Sequence, residues 1–222
     1  MKTTKLVAAL AALMTVATAS LFAQEKPYIG TFIDMDYWNE RNTKSSSDFV
    51  LNADGSAKPD GVKYGDKDWV CSYAVDEAGK KVNVRQHVAG TKESSDEIET
   101  YQYSDSGLWL RGDDTLYIRS SAKFKAEDAA FIAGKSFSVE GTTLTFTSDG
   151  KLTIDGSDFG IYFVDKGAKM ILIIEEHAAY ATYETDKKGK VTLHYYNDVG
   201  DEDFMTLKEQ GKAGKLLNKL TK

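Results

Sequence analysis

The chain has 222 residues, 41% of them hydrophobic and 28% charged, and a formal net charge of −6 at pH 7. Affinity for phosphate backbones comes mainly from basic charge, so this acidic balance argues against nucleic acid as a partner. Cys71 is the only cysteine, which excludes an internal disulfide and leaves the fold to depend on packing.

Residues 1–23 read as a secretory signal, with Lys2 and Lys5 at the start, a Leu/Ala/Val-rich run over 6–16, and small residues before a polar stretch. Cleavage after Ala19 or after Ala23 satisfies the small-residue rule, and the second leaves Gln24-Glu25-Lys26-Pro27 as a polar start. Without this segment 26 basic residues face 34 acidic ones, a balance of about −8. The expectation is a periplasmic or secreted protein with no transmembrane segment after cleavage. The longest later apolar run, 170–174, is far shorter than the ~20 residues of a spanning helix.

From 24 to 120 apolar residues alternate with period two and are punctuated by Gly, Asp, Asn and Ser clusters, the pattern of short antiparallel strands. Strands are expected at 29–33, 48–52, 62–64, 69–75, 82–88, 98–104, 108–111 and 116–119, with polar inserts at 39–47 and 89–96. Residues 121–134, rich in Ala, Lys and Glu, form a linker with a short helix. From 135 to 209 strands are expected at 135–139, 143–147, 151–154, 159–164, 169–175, 179–184, 191–196 and 204–207. Turns such as Ser148-Asp149-Gly150 and Asp155-Gly156 place Gly where a tight hairpin needs positive φ. Residues 210–222 make a basic tail, with Lys212, Lys215 and Lys219 beside Leu216, Leu217 and Leu220.

The two β stretches repeat one another. Phe49-Val50-Leu51-Asn52-Ala53-Asp54-Gly55 matches Leu144-Thr145-Phe146-Thr147-Ser148-Asp149-Gly150, and Tyr73-Ala74-Val75-Asp76 with Gly79 matches Tyr162-Phe163-Val164-Asp165 with Gly167. Ser106-Gly107-Leu108 and Lys188-Gly189-Lys190 follow in the same order, for a period on the order of 90 residues. The fold class expected is all-β: two tandem antiparallel meander β-barrels or half-barrels, joined by a short linking helix.

Residues 134–174 carry Gly-Lys-x-Phe, Thr-Leu-Thr-Phe-Thr-Ser-Asp-Gly-Lys, Gly-x-Tyr-x-Val-Asp and Met-Ile-Leu-Ile-Ile in succession. This grammar resembles the small lipocalin-like domains of exported bacterial proteins. The resemblance rests on turn and strand grammar, not on a catalytic signature, and implies a meandering barrel, often with no known ligand. Cys71-Ser72-Tyr73 departs from Gly-x-Tyr in the first copy.

An eight-stranded barrel holds one small ligand or is filled by its own side chains. Leu144, Phe146, Leu152, Ile154, Leu172, Ile174, Leu193 and Leu207 read as inward, so the second barrel is expected to be full. The first, with Val82, Val84, Leu108, Leu110, Leu116 and Ile118 inward and more polar interruptions, is the better place for a cavity. Alternation puts Trp109 and Tyr117 on an outer face that Tyr101 and Tyr103 extend, with Tyr37 and Trp38 in the loop after the first strand. Such a face would bind a protein or carbohydrate surface, or pack against the second repeat. Cys71, alternating with Trp69 and Tyr73, reads as a buried small hydrophobe, and His194 as solvent-facing.

No metal spacing is present among His87, His177 and His194, and no nucleophile motif or phosphate loop appears. No catalytic residue, metal ligand or cofactor is therefore assigned. The acidic hairpins at 112–114 and 198–203 lack the alternating ligands of a calcium loop. The reading is a non-catalytic binding protein whose partner is a small apolar ligand or a protein or carbohydrate surface. Tyr37, Trp38, Trp109, Tyr117 and Tyr101 are the candidate contact residues. An outer-membrane barrel is disfavoured, since it needs strands of about nine to eleven residues with an apolar outer band.

Overall fold

A computed structural model describes residues 26–40, 48–59, 69–90, 97–139, 141–175, 177–200 and 204–210. The expected signal segment, the strand at 62–64, most of both polar inserts and the basic tail lie outside the described residues.

Among the described residues, sixteen strands form two eight-stranded antiparallel sheets, each curled into a nearly closed barrel. The first contains β1 (Gly30–Asp34), β2 (Asp48–Leu51), β3 (Ala57–Lys58), β4 (Trp69–Asp76), β5 (Lys81–Val88), β6 (Glu97–Tyr103), β7 (Trp109–Arg111) and β8 (Leu116–Arg119). A one-turn helix, α1 (Ala126–Ala129), lies in the linker. The second barrel contains β9 (Ser136–Val139), β10 (Thr142–Phe146), β11 (Lys151–Ile154), β12 (Ser157–Asp165), β13 (Met170–Ile174), β14 (Ala178–Thr185), β15 (Val191–Tyr196) and β16 (Met205–Lys208). A 3-10 helix, Met35–Glu40, follows β1. No helix among the described residues is long and apolar enough to cross a membrane.

Both barrels are meanders, but each has its seam in a different place. In the first, β1 pairs with β8 and the sheet is interrupted between β3 and β4, where Ser56 and Ser72 form a lone bridge. In the second, the interruption falls between β9 and β16, bridged among the described residues only at Phe137 and Glu209.

The repeat is reproduced hydrogen bond by hydrogen bond. The Tyr73 hydroxyl donates to the Asn52 carbonyl at 2.6 Å, and the Tyr162 hydroxyl donates to the Thr147 carbonyl at 2.7 Å. The amides of the same tyrosines donate to the Gly55 and Gly150 carbonyls. Asp76 accepts from the Gly79 amide as Asp165 does from Ala168, and Lys80 and Lys169 both sit at positive φ. These side-chain locks hold the turns that join each barrel's strands, which is why the Asp and Tyr positions recur in the sequence.

One end of each barrel is stoppered. Phe124, ahead of α1, packs edge-on against Tyr162 at 5.3 Å, while Ala129 and Ile132 join the core of the second barrel. Tyr28 plays the same part in the first, against Tyr73 and Tyr103. The Arg119 guanidinium secures that N-terminal segment by donating to the carbonyls of Pro27, Ile29 and Gly107.

Three apolar clusters account for the packing, and the middle one joins the barrels. It combines Ile33, Met35, Trp38, Trp109, Leu116 and Ile118 with Phe163, Met170, Leu172, Ile174, Ala178 and Tyr180. The double apolar face of β13 serves this purpose: Ile171 and Ile173 fill the second barrel, while Leu172 and Ile174 meet the first. Leu172 and Ile174 therefore point outward, contrary to the expectation, and so do Leu116 and Ile118. Tyr101, Tyr103 and Tyr117 occupy the first barrel's interior instead. Polar contacts flank the interface: Asp36 accepts from the Ala178 amide at 2.6 Å and Ser106 donates to Asp165 at 2.7 Å.

Candidate functional site

The aromatic face expected on the first barrel does not assemble as a surface. Trp109 and Trp38, 8% and 3% exposed, are sealed in the barrel interface, and Tyr101 and Tyr117 are each 6% exposed inside the first barrel. Phe49 packs between them, its ring 4.8 Å from Tyr101 and 5.2 Å from Tyr117. Tyr37 alone of the five stands in solvent, at 44% exposure. Cys71 is half-buried, and burial pushes its thiol up from the usual range, away from the reactive thiolate. His194 is on the outer side of β15, as alternation requires, but it is half-buried beside the Phe204 ring at 4.6 Å.

A cavity of about 560 Å³ opens at the end of the second barrel opposite its stopper. The expectation that this barrel is full is thereby corrected. Its core side chains fill the stoppered half, with Phe137, Phe146, Leu152 and Tyr162 all fully buried. Toward the other end the wall parts. The β9–β16 seam is tied at the stoppered end, where the Gln210 amide donates to the Ser136 carbonyl and Lys135 pairs with Glu209 at 2.7 Å. Beyond that tie β9 and β16 share no ladder bond among the described residues, and Val139, Met205 and Leu207 line the gap.

Thr142, Leu144, Ile154, Phe159, Phe204 and Asn197 supply most of the remaining wall. Phe159 reaches the mouth because β12 bulges there: Leu152 opposes Gly160 whereas Thr153 opposes Asp158, so Phe159 has no partner in the ladder. The polar centre is a pair. Tyr195, inward from β15, donates its hydroxyl to Glu175 Oε1 at 3.0 Å. Burial, and next the neighbouring carboxylate, push the Tyr195 hydroxyl far above its usual range, so it stays protonated as the donor. Glu175 is the one charged side chain lining the cavity among the described residues.

No protein-family model, curated protein or solved structure matches this chain. The site's chemistry therefore rests on its own geometry. Among the described residues no group of three or more His, Cys, Asp or Glu could hold a metal ion. The arrangement can enclose an apolar body and offer it one carboxylate, one phenol and one amide at known positions.

Sequence reasoning missed Glu175 and Tyr195 as a pair because they meet only when β13 and β15 flank β14. The usable signal was the inward phase of Tyr195, which follows Val191 and Leu193 on the apolar face of β15. A lone phenol on an otherwise aliphatic inward row requires a buried acceptor.

Proposed function

We propose that this is an exported, non-catalytic binding protein of lipocalin-like type, whose second barrel holds one small, mainly apolar ligand. The observation that carries the reading is the 560 Å³ cavity, whose size falls within the ~300–1,000 Å³ of small-molecule sites and whose lining is apolar around a few convergent polar groups. Support for export comes from the three-part signal over 1–23. Barrel interiors of eight strands are just wide enough for one such guest.

Titration with Nile red, a neutral apolar dye, tests the reading. One dye should bind per chain, and Val139→Trp, which fills the mouth, should weaken uptake at least about tenfold, whereas Tyr37→Ser leaves it unchanged. Absence of uptake, or uptake indifferent to Val139→Trp, would overturn it.

A further inference from the structure

We infer that the ligand is an alcohol in chemical type, an apolar body whose polar end is a hydroxyl that donates a hydrogen bond to the mouth of the second barrel. This rests on the binding role proposed for that barrel and adds the ligand's head group. Three observations carry it.

The first is where the polar groups of the cavity wall stand. Thr142 precedes Leu144 on β10, Tyr195 follows Leu193 on β15, and Glu175 follows Ile173 at the end of β13. In each case the polar member lies nearer the open end, and the apolar one lies deeper, in the core of the barrel. The ladder keeps the layers apart: Leu193 opposes Leu207, and one step outward Tyr195 opposes Met205. A guest therefore lies with its apolar body along Leu144, Ile154 and Leu207 and its polar end at the mouth.

The second is what these polar groups offer. A hydroxyl has one proton to donate and two lone pairs with which to accept. Thr142 gives its proton to the Val139 carbonyl at 2.7 Å, and Tyr195 gives its own to Glu175 Oε1 at 3.0 Å. With those protons committed inside the protein, each oxygen meets a guest as an acceptor. Glu175 brings a carboxylate, which accepts hydrogen bonds and donates none whatever else it touches. The mouth thus favours a guest that arrives with a proton to share.

The third is Asn197, the one side chain lining the cavity that carries N–H donors. It lies two residues beyond Tyr195, on the same side of the chain and at the exposed end of the wall. A hydroxyl suits this set in both directions, donating to an oxygen of the mouth and accepting from the amide. An ether of the same size can only accept, so it uses the amide and leaves the oxygens unmatched. A carboxylate also only accepts, and it brings to Glu175 a charge of the same sign.

Displacement of Nile red by three ten-carbon probes, 1-decanol, 1-methoxynonane and decanoate, tests this on the full mature chain at about pH 8, where decanoate is ionised. Decanol should bind at least about fivefold more tightly than methoxynonane, and decanoate more weakly than either. Glu175→Gln puts an N–H donor where the carboxylate stood. It should bring methoxynonane to within about twofold of decanol and strengthen decanoate at least about fivefold, while Nile red still binds and certifies the variant's fold. A merely structural role for Glu175 would weaken all the probes alike and leave their order unchanged. The native ranking decides without the variant: equal affinities for decanol and methoxynonane, preference for decanoate, or no displacement by any probe from a chain that binds Nile red would overturn the alcohol reading and leave the binding role standing. An unchanged ranking in a Glu175→Gln variant that binds Nile red would overturn it too. Failure of all three probes and of Nile red would overturn both.

Discussion

Tyr162 and Tyr73 perform one task twice, each tying a hydroxyl to the carbonyl that opens a Gly-bearing turn, at 2.7 and 2.6 Å. Tyr162 is the deeper of the two, and burial, with a smaller contribution from the Asp149 charge, pushes its hydroxyl up to about 12. An unfolded tyrosine titrates near 10, so the native state holds this proton over an interval in which the unfolded chain has released it. The linkage sign follows: the stabilisation is fully present below about pH 10 and is lost as pH rises toward 12. Tyr162→Phe should cost about 1 kcal/mol at neutral pH through the lost hydrogen bond. Its deficit against the native protein should shrink between about pH 10 and 12, because the variant has no such proton to lose. Urea unfolding at pH 8, 10 and 11.5 measures this, and a constant deficit would show that the hydroxyl titrates alike in both states. Tyr195 titrates upward as well, so alkaline destabilisation is reduced in the variant and not abolished.

At the scale of elements, the β11–β12–β13 region links the fold to the site. Gly160 lies so close to β13 that a Cβ there would collide with the Ile174 carbonyl oxygen. Ile174 precedes Glu175, so displacing that backbone displaces the carboxylate. Gly160→Ala is expected to destabilise the protein by about 1–3 kcal/mol and to weaken Nile red binding. Urea midpoints and the same titrations check it, and unchanged binding in a destabilised variant would separate the bulge from the site. The strands themselves were legible in the sequence where one face is wet. β15 alternates buried and half-buried residues, and its expected range of 191–196 is the observed one. Legibility failed where both faces are covered. β13 is buried at all five positions and β8 at its first three, so period two disappears and nothing local says that Leu116 and Leu172 face outward. For the same reason the aromatic face was misplaced, since Tyr117 fills a barrel as readily as it could decorate one. The bulge that swings Phe159 into the mouth leaves no turn signature either, and with it the site stayed hidden.

For the whole molecule, the consequence of that covered face is mechanical coupling. The barrels share an apolar cluster to which each contributes about half, with Asp36 and Ser106 hydrogen-bonded across its margins. Such an interface should make them unfold as one cooperative unit, and calorimetry of the native chain should show a single transition. The two halves are not equally robust on their own. In the first, β3 has two residues, and Val70, Val88 and Ile98 are exposed on β4, β5 and β6. In the second, β12 and β14 run nine and eight residues and the core continues into the linker. Trimming the shared face with Leu116→Ala and Leu172→Ala together removes contacts worth about 2–5 kcal/mol at each site. The single transition should then split, with the first barrel melting at the lower temperature. Since the cavity belongs to the second barrel, Nile red bound to the double variant should stay through the lower transition and leave only at the upper one. Loss of the dye in the lower transition would mean that the second barrel depends on the first for its fold, and that the duplicated halves act as one structural unit even with the face between them weakened.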